Sequence, residues 1–113
     1  MSNNPSNPEV YLLRIQVAVR KNKIYYSKHA IMKMDERLIT EKEIHEVIST
    51  AEIVESYLHD RPFPSLLLMG KTKQGRILHC VVAYDNKFDQ AILITTYEPN
   101  LDEWKENFKT RRR

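Results

Sequence analysis

Residues 65–97 read SLLLMGKTKQGRILHCVVAYDNKFDQAILITTY, and this stretch decides the fold. Within it Ile77, His79, Val81 and Ala83 fall on one face of an extended chain, and Leu78, Cys80, Val82 and Tyr84 on the other. Turn residues bracket the alternation. Lys73-Gln74-Gly75-Arg76 predicts a hairpin, with Gly75 where positive φ is needed, and Asp85-Asn86-Lys87 predicts a second turn. Strands are therefore expected over 65–71, 77–84 and 88–97. Upstream, Ile53 to Leu58 predicts one more, joined by His59-Asp60-Arg61-Pro62-Phe63-Pro64, a loop that two prolines stiffen. Neighbouring strands joined in sequence give a four-stranded antiparallel meander, which needs one face covered.

The first half of the chain supplies the cover. Asn7-Pro8-Glu9 is a helix start: an N-cap, a proline at the first helical position and an acid in the first turn. The residues that follow also alternate as a strand would, but the start signal favours a helix closed at Asn22. Ile24-Tyr25-Tyr26 reads as an extended link. Ser27 caps a helix from Lys28 to Arg37 with the apolar stripe Ala30, Ile31, Met34 and Leu38. Thr40 and Glu43 form a capping box for a third, which buries Ile44, Val47, Ile48 and Ala51. After the last strand, Pro99 is a stop, and Leu101 to Lys109 predicts a short amphipathic helix carrying Trp104 and Phe108. The expected organisation is a disordered segment over 1–8, one α+β domain over 9–109 and a basic tail over 110–113.

Composition fits one globular domain: 113 residues, 42% hydrophobic and 29% charged. A single cysteine, Cys80, forbids an internal disulfide and suits a reducing compartment. No segment resembles a signal peptide or a membrane span, so a cytoplasmic location is expected. Net charge is +3, unevenly spread. Residues 1–37 carry seven basic and three acidic side chains, 38–70 two and six, and 71–113 nine and six. If the two basic ends meet, they form a cationic face suited to phosphate; otherwise this is solvated surface charge.

Few residues stand out chemically. His29 lies in the first turn of the second helix, where the helix dipole favours the neutral imidazole that a general base requires. From position alone it reads first as a histidine that merely caps or packs. Lys28 beside it, and Lys33 and Arg37 along the same helix, suit phosphate. His79, polar among apolar strand neighbours, is either a catalytic acid on the sheet face or a core histidine with a partner. Tyr97, at the end of the last strand, suits a phosphate oxygen or a base, or is an ordinary edge tyrosine. Arg61, in the stiff loop close to Ser65, suits bidentate binding of phosphate, or is simply solvated. No group of residues has metal-ligand spacing, and no cofactor is expected.

Four stations taken in order resemble a known family. They are Ser27-Lys28-His29-Ala30 on to Arg37; Arg61-Pro62-x-Pro64-Ser65; Leu78-His79-Cys80-Val81-Val82; and Thr95-Thr96-Tyr97-Glu98-Pro99 followed by Trp104. The family comprises short prokaryotic proteins catalogued as a domain of unknown function. Many of its members are encoded beside a small antitoxin with a Cys-x-x-Cys zinc-finger head. The resemblance implies a fold similar to the RelE/barnase/colicin group of ribonucleases, with RNA lying on the sheet face and an active site free of metal. It implies His29, Arg37, Arg61, Ser65, His79 and Tyr97 as site positions. The expected activity is that of a toxin-like endoribonuclease cutting single-stranded RNA through a 2′,3′-cyclic phosphate, free or on the ribosome, with an antitoxin as partner. In that scheme His29 is the base, Arg61 and Lys28 stabilise the phosphorane, and His79 or Tyr97 is the acid. A module that binds RNA or protein without cleaving is the alternative. Oligomeric state is not legible.

Overall fold

The computed structural model describes residues 7–112; most of the expected disordered segment, residues 1–6, and the last residue of the basic tail lie outside it. Helix α1 spans Pro8–Arg20, with the Asn7 side chain accepting from the Glu9 amide. Tyr11, Leu12, Ile15, Ala18 and Val19 are buried, which is helical spacing, and Leu13 points out. That pattern settles the ambiguity of this stretch. Asn22, at φ 59°, closes the helix region as the left-handed residue that asparagine tolerates.

Strand β1 (Ile24–Tyr26) leads into helix α2 (Lys28–Arg37) and helix α3 (Glu41–Ser49). Ser27 Oγ caps α2 by accepting from the Ala30 amide at 3.0 Å, and Thr40 with Glu43 completes the capping box of α3. Strands β2 (Glu52–Tyr57), β3 (Ser65–Lys71), β4 (Ile77–Asp85) and β5 (Gln90–Tyr97) follow.

The fold is α+β, but the sheet is not the four-stranded antiparallel meander expected. It has five strands in the order β1-β5-β4-β3-β2, and β1 pairs with β5 in parallel. Ile24-Tyr25-Tyr26 is thus an edge strand rather than a link. Three residues are too few to show a period, and their partners Ala91, Ile92 and Leu93 lie far along the chain. Where β1 ends, α2 takes over the edge of β5. Ser27 Oγ donates to the Ile94 carbonyl at 3.0 Å, and the Arg37 guanidinium to the Thr96 carbonyl at 2.7 Å.

The C-terminal helix expected over Leu101–Lys109 does not form. Asn100 Oδ1 accepts from the amides of Asp102 and Glu103, and Asn107 Oδ1 from those of Lys109 and Thr110. Such side-chain bonds compete with helical ones, and a nine-residue helix has little stability of its own. Phe108 turns the chain at φ 57°, and Trp104 bridges back to Arg111.

One face of the sheet packs on the helices through Leu66, Leu68, Leu78, Cys80, Val82, Tyr84, Ala91 and Leu93. Cys80 is in this core, where burial raises its thiol to about 12. Gly70 on β3 lets α3 come close, since a Cβ there would sit 2.4 Å from the Val47 carbonyl oxygen. No helix among the described residues is long and apolar enough to cross a membrane.

Candidate functional site

The other face of the sheet carries the chemically capable residues. A register shift in β5 between the partners of Val81 and Val82 leaves Ile94 as an extra residue. This bulge reverses the phase of the strand, so that Tyr97 lies opposite His79 and shares its face. The chain after Tyr97 then folds over that end of the sheet.

His79 is fully buried there. Its Nε2 is 2.6 Å from the Phe108 carbonyl oxygen, and its Nδ1 is 3.2 Å from the Tyr97 hydroxyl. A carbonyl only accepts, so Nε2 carries the proton and Nδ1 accepts from the phenol. The Trp104 ring meets the imidazole edge-on, with centroids 4.6 Å apart. Burial holds the imidazole pKa below its ordinary value, against the opposing pull of the Phe108 carbonyl. Burial also raises the Tyr97 phenol.

Glu55 on β2 accepts from Arg111 Nε at 2.9 Å and from Arg111 Nη2 at 3.1 Å, and it accepts from the Tyr57 hydroxyl as well. These bonds, that from Arg111 foremost, hold the Glu55 carboxyl below the usual range. The Arg111 guanidinium lies 4.5 Å from the Trp104 ring centroid. The Arg112 guanidinium donates to the Trp104 carbonyl at 3.0 Å, so these two residues of the expected basic tail are part of the fold. Lys109 pairs with Glu52 at 2.9 Å and Arg76 with Glu43 at 3.2 Å, so the basic last third of the chain partly neutralises the acidic middle.

A cleft of about 660 Å³ opens beside Tyr97, lined by Arg37, Arg76, Tyr97, Glu98, Asn100 and Glu103. Arg76 is occupied. It donates to Glu98, to both oxygens of Glu43, and to the carbonyls of Leu38 and Arg37. The Arg37 side chain donates to the Thr96 carbonyl, and among the described residues no carboxylate pairs with it, although Glu98 and Glu103 line the same cleft.

The expected site residues separate into groups. His79, Tyr97 and Arg37 come together. His29 and Lys28 are exposed at the start of α2, and His29 enters none of the bonds around His79. Lys33 pairs with Glu36 at 3.2 Å. Ser65 is buried and donates to Asp60 Oδ2 at 2.8 Å, and Arg61 is exposed in the same loop. Ser65 lies opposite Ala83, four residues along β4 from His79, or about 13 Å. Arg61 lines a cavity at Ala83 and Ile92, while His79 bonds Tyr97 and Phe108 further along the same face. Sequence reasoning missed Arg76, Glu55, Tyr57 and Arg111. Glu55 and Tyr57 share a face of β2, which alternation shows; the partners of Arg76 and Arg111 are tertiary and leave no local signal.

The buried imidazole makes stability depend on pH. In the unfolded chain His79 titrates near its ordinary 6.5, and in the fold it does so lower. The unfolded state thus gains the proton first. Stability is full above pH 6.5 and falls as the pH drops towards the native value, by about 1.4 kcal/mol for each pH unit separating the two. The urea midpoint is expected to fall between pH 7.5 and pH 5.5, and His79→Gln is expected to flatten that slope. An unchanged slope in the variant would assign it to other groups.

The model of one family, described as Domain of unknown function (DUF4258), matches residues 26–98, which is 73 of the 113 residues. The chain belongs to that family. No curated protein and no solved structure matches it.

Proposed function

We propose that this member of the DUF4258 family is a toxin-like, metal-independent endoribonuclease acting on single-stranded RNA at the Tyr97 cleft. The observation that carries the reading is the Tyr97–His79 pair: a proton-accepting imidazole, kept neutral by burial, joined through a phenol to a cleft that holds an arginine without an ion-pair partner among the described residues. Arg37 binds the scissile phosphate and stabilises the charge that develops on it. The ribose 2′-OH gives its proton to the Tyr97 oxygen while Tyr97 gives its own to His79 Nδ1. The 2′-oxygen–phosphorus bond forms, the bond to the 5′-oxygen breaks, and water protonates that oxygen. The products are a 2′,3′-cyclic phosphate and a 5′-OH. Lys28 and His29 lie eight to nine residues before Arg37 on α2, about 12 Å away, and hold flanking phosphates.

This differs from the scheme drawn from the sequence, in which His29 is the base and His79 or Tyr97 the acid. The enclosure of His79 beneath Trp104 and Phe108 favours a second reading, a module that binds RNA without cutting it. On either reading an antitoxin that covers the Tyr97 cleft would silence the protein.

The test is purified chain with defined single-stranded RNA in EDTA, with the cut ends mapped. Tyr97→Phe, which removes the relay and keeps the ring, is expected to slow cleavage by about 10²- to 10⁴-fold. Ends other than cyclic phosphate, or full activity in Tyr97→Phe, would remove this mechanism. RNA that stays intact, free and with ribosomes, but is bound in a salt-sensitive way would establish the binding module.

A further inference from the structure

Four residues along β4 from His79, the same sheet face holds a second cavity that the proposed chemistry does not use. It measures about 230 Å³ and is lined by Asp60, Arg61, Pro62, Phe63, Ala83, Ile92 and Ile94. The floor is apolar: Ala83 on β4 and Ile92 on β5 are cross-strand neighbours, and the bulge residue Ile94 adjoins them, 37% exposed. Phe63 forms a wall. Tyr25, opposite Ile92 on β1 and 64% exposed, presents a second ring on the same sheet face. Exposed aromatic and aliphatic surface at a concave site is the arrangement on which an unstacked base settles.

The rim is polar and fixed on one side. Buried Ser65 donates to Asp60 Oδ2 and so orients the carboxylate, leaving Oδ1 and the second lone pair of Oδ2 to accept. Arg61 enters no salt bridge among the described residues. A carboxylate and a guanidinium on adjacent residues discriminate among bases. Guanine presents N1–H and N2–H side by side to a carboxylate, and its O6 and N7 accept from an arginine fork. Adenine and cytosine offer a carboxylate one exocyclic amino group. Uracil flanks its single N3–H with two carbonyls, which a carboxylate repels.

We propose that this cavity is a guanine-binding subsite, which places a guanine about 13 Å along the sheet from the Tyr97 cleft. The assignment rests on the RNA reading above. The test uses the whole chain and fluorescence anisotropy with labelled, 2′-O-methylated hexauridine strands carrying one central guanine, adenine, cytosine or uracil. The guanine strand is expected to bind about tenfold tighter than the uracil strand, the low end of what one good polar pairing discriminates. Asp60→Asn retains an oxygen for Ser65 but loses the charge; it is expected to abolish the guanine preference and leave uracil-strand affinity unchanged. Phe63→Ala is expected to weaken every strand. Equal affinity for all four strands would overturn the subsite and leave the RNA reading standing. A guanine preference that survives Asp60→Asn in a variant with unchanged circular dichroism would place guanine elsewhere. No binding of any strand would overturn both.

Discussion

Trp104→Ala is expected to destabilise the fold by about 3–5 kcal/mol, the usual cost of emptying a large buried aromatic site. Trp104 is 2% exposed although it lies outside every helix and strand. Its ring is the contact surface between the C-terminal segment and the sheet, edge-on to His79 and beneath the Arg111 guanidinium. Its main chain is tied as well, through its amide to the Asn100 carbonyl and its bridge to Arg111. Removing the ring leaves His79 beside a cavity and takes the stacking partner from Arg111. The surface ion pairs Arg111–Glu55 and Lys109–Glu52 do not compensate, because exposed pairs contribute little each and weaken with salt. Urea denaturation followed by circular dichroism measures the loss, with exposed Lys105→Ala as a control expected within about 0.5 kcal/mol of the parent. A Trp104→Ala variant as stable as that control would mean that the C-terminal segment is not part of the cooperative fold.

The same residue shows where sequence reasoning stops. Leu101, Trp104 and Phe108 are spaced as on the apolar face of a helix, and the expectation of a helix followed from that spacing. Asn100 and Asn107 decided otherwise by bonding nearby amides with their own side chains, so Trp104 reaches the sheet from turns while Leu101 stays 51% exposed. Where capping signals were explicit, at Asn7-Pro8, Ser27 and Thr40 with Glu43, helices begin where the sequence places them, because a cap is a local bond between near neighbours. Alternation in β4 gave the faces of His79 and Cys80 correctly, since pleating is also local. Strand β1 was not legible, because what makes it a strand is a parallel partner on β5. The site divides in the same way. His79 and Tyr97 are visible as polar groups in strands, but the burial of His79 depends on a segment that folds back from beyond the last strand.

Arg76→Ala is expected to cost about 2–3 kcal/mol, a large effect for a hairpin arginine, because its guanidinium makes five hydrogen bonds to acceptors from three parts of the chain. Two of these acceptors, the Arg37 and Leu38 carbonyls, lie where α2 ends, and Leu38 is held there at φ 54°. No backbone amide inside the helix can serve them. The others are the Glu43 and Glu98 carboxylates, and Glu43 is also the reciprocal half of the α3 capping box. Loss of the guanidinium therefore frees the α2–α3 corner and the end of β5 together. It also leaves two carboxylates without their cation, partly offset by the access water has to a side chain 25% exposed. Arg76→Lys separates charge from shape. An ammonium supplies the charge for Glu43 but not the planar fork that reaches both helix-end carbonyls, so lysine is expected to recover less than half of the lost stability in urea denaturation. Recovery to the level of the parent would show that charge alone matters at this corner. The position of Arg37, whose carbonyl Arg76 holds, should then depend on its own bond to Thr96, and RNA affinity should be the same in Arg76→Lys as in the parent.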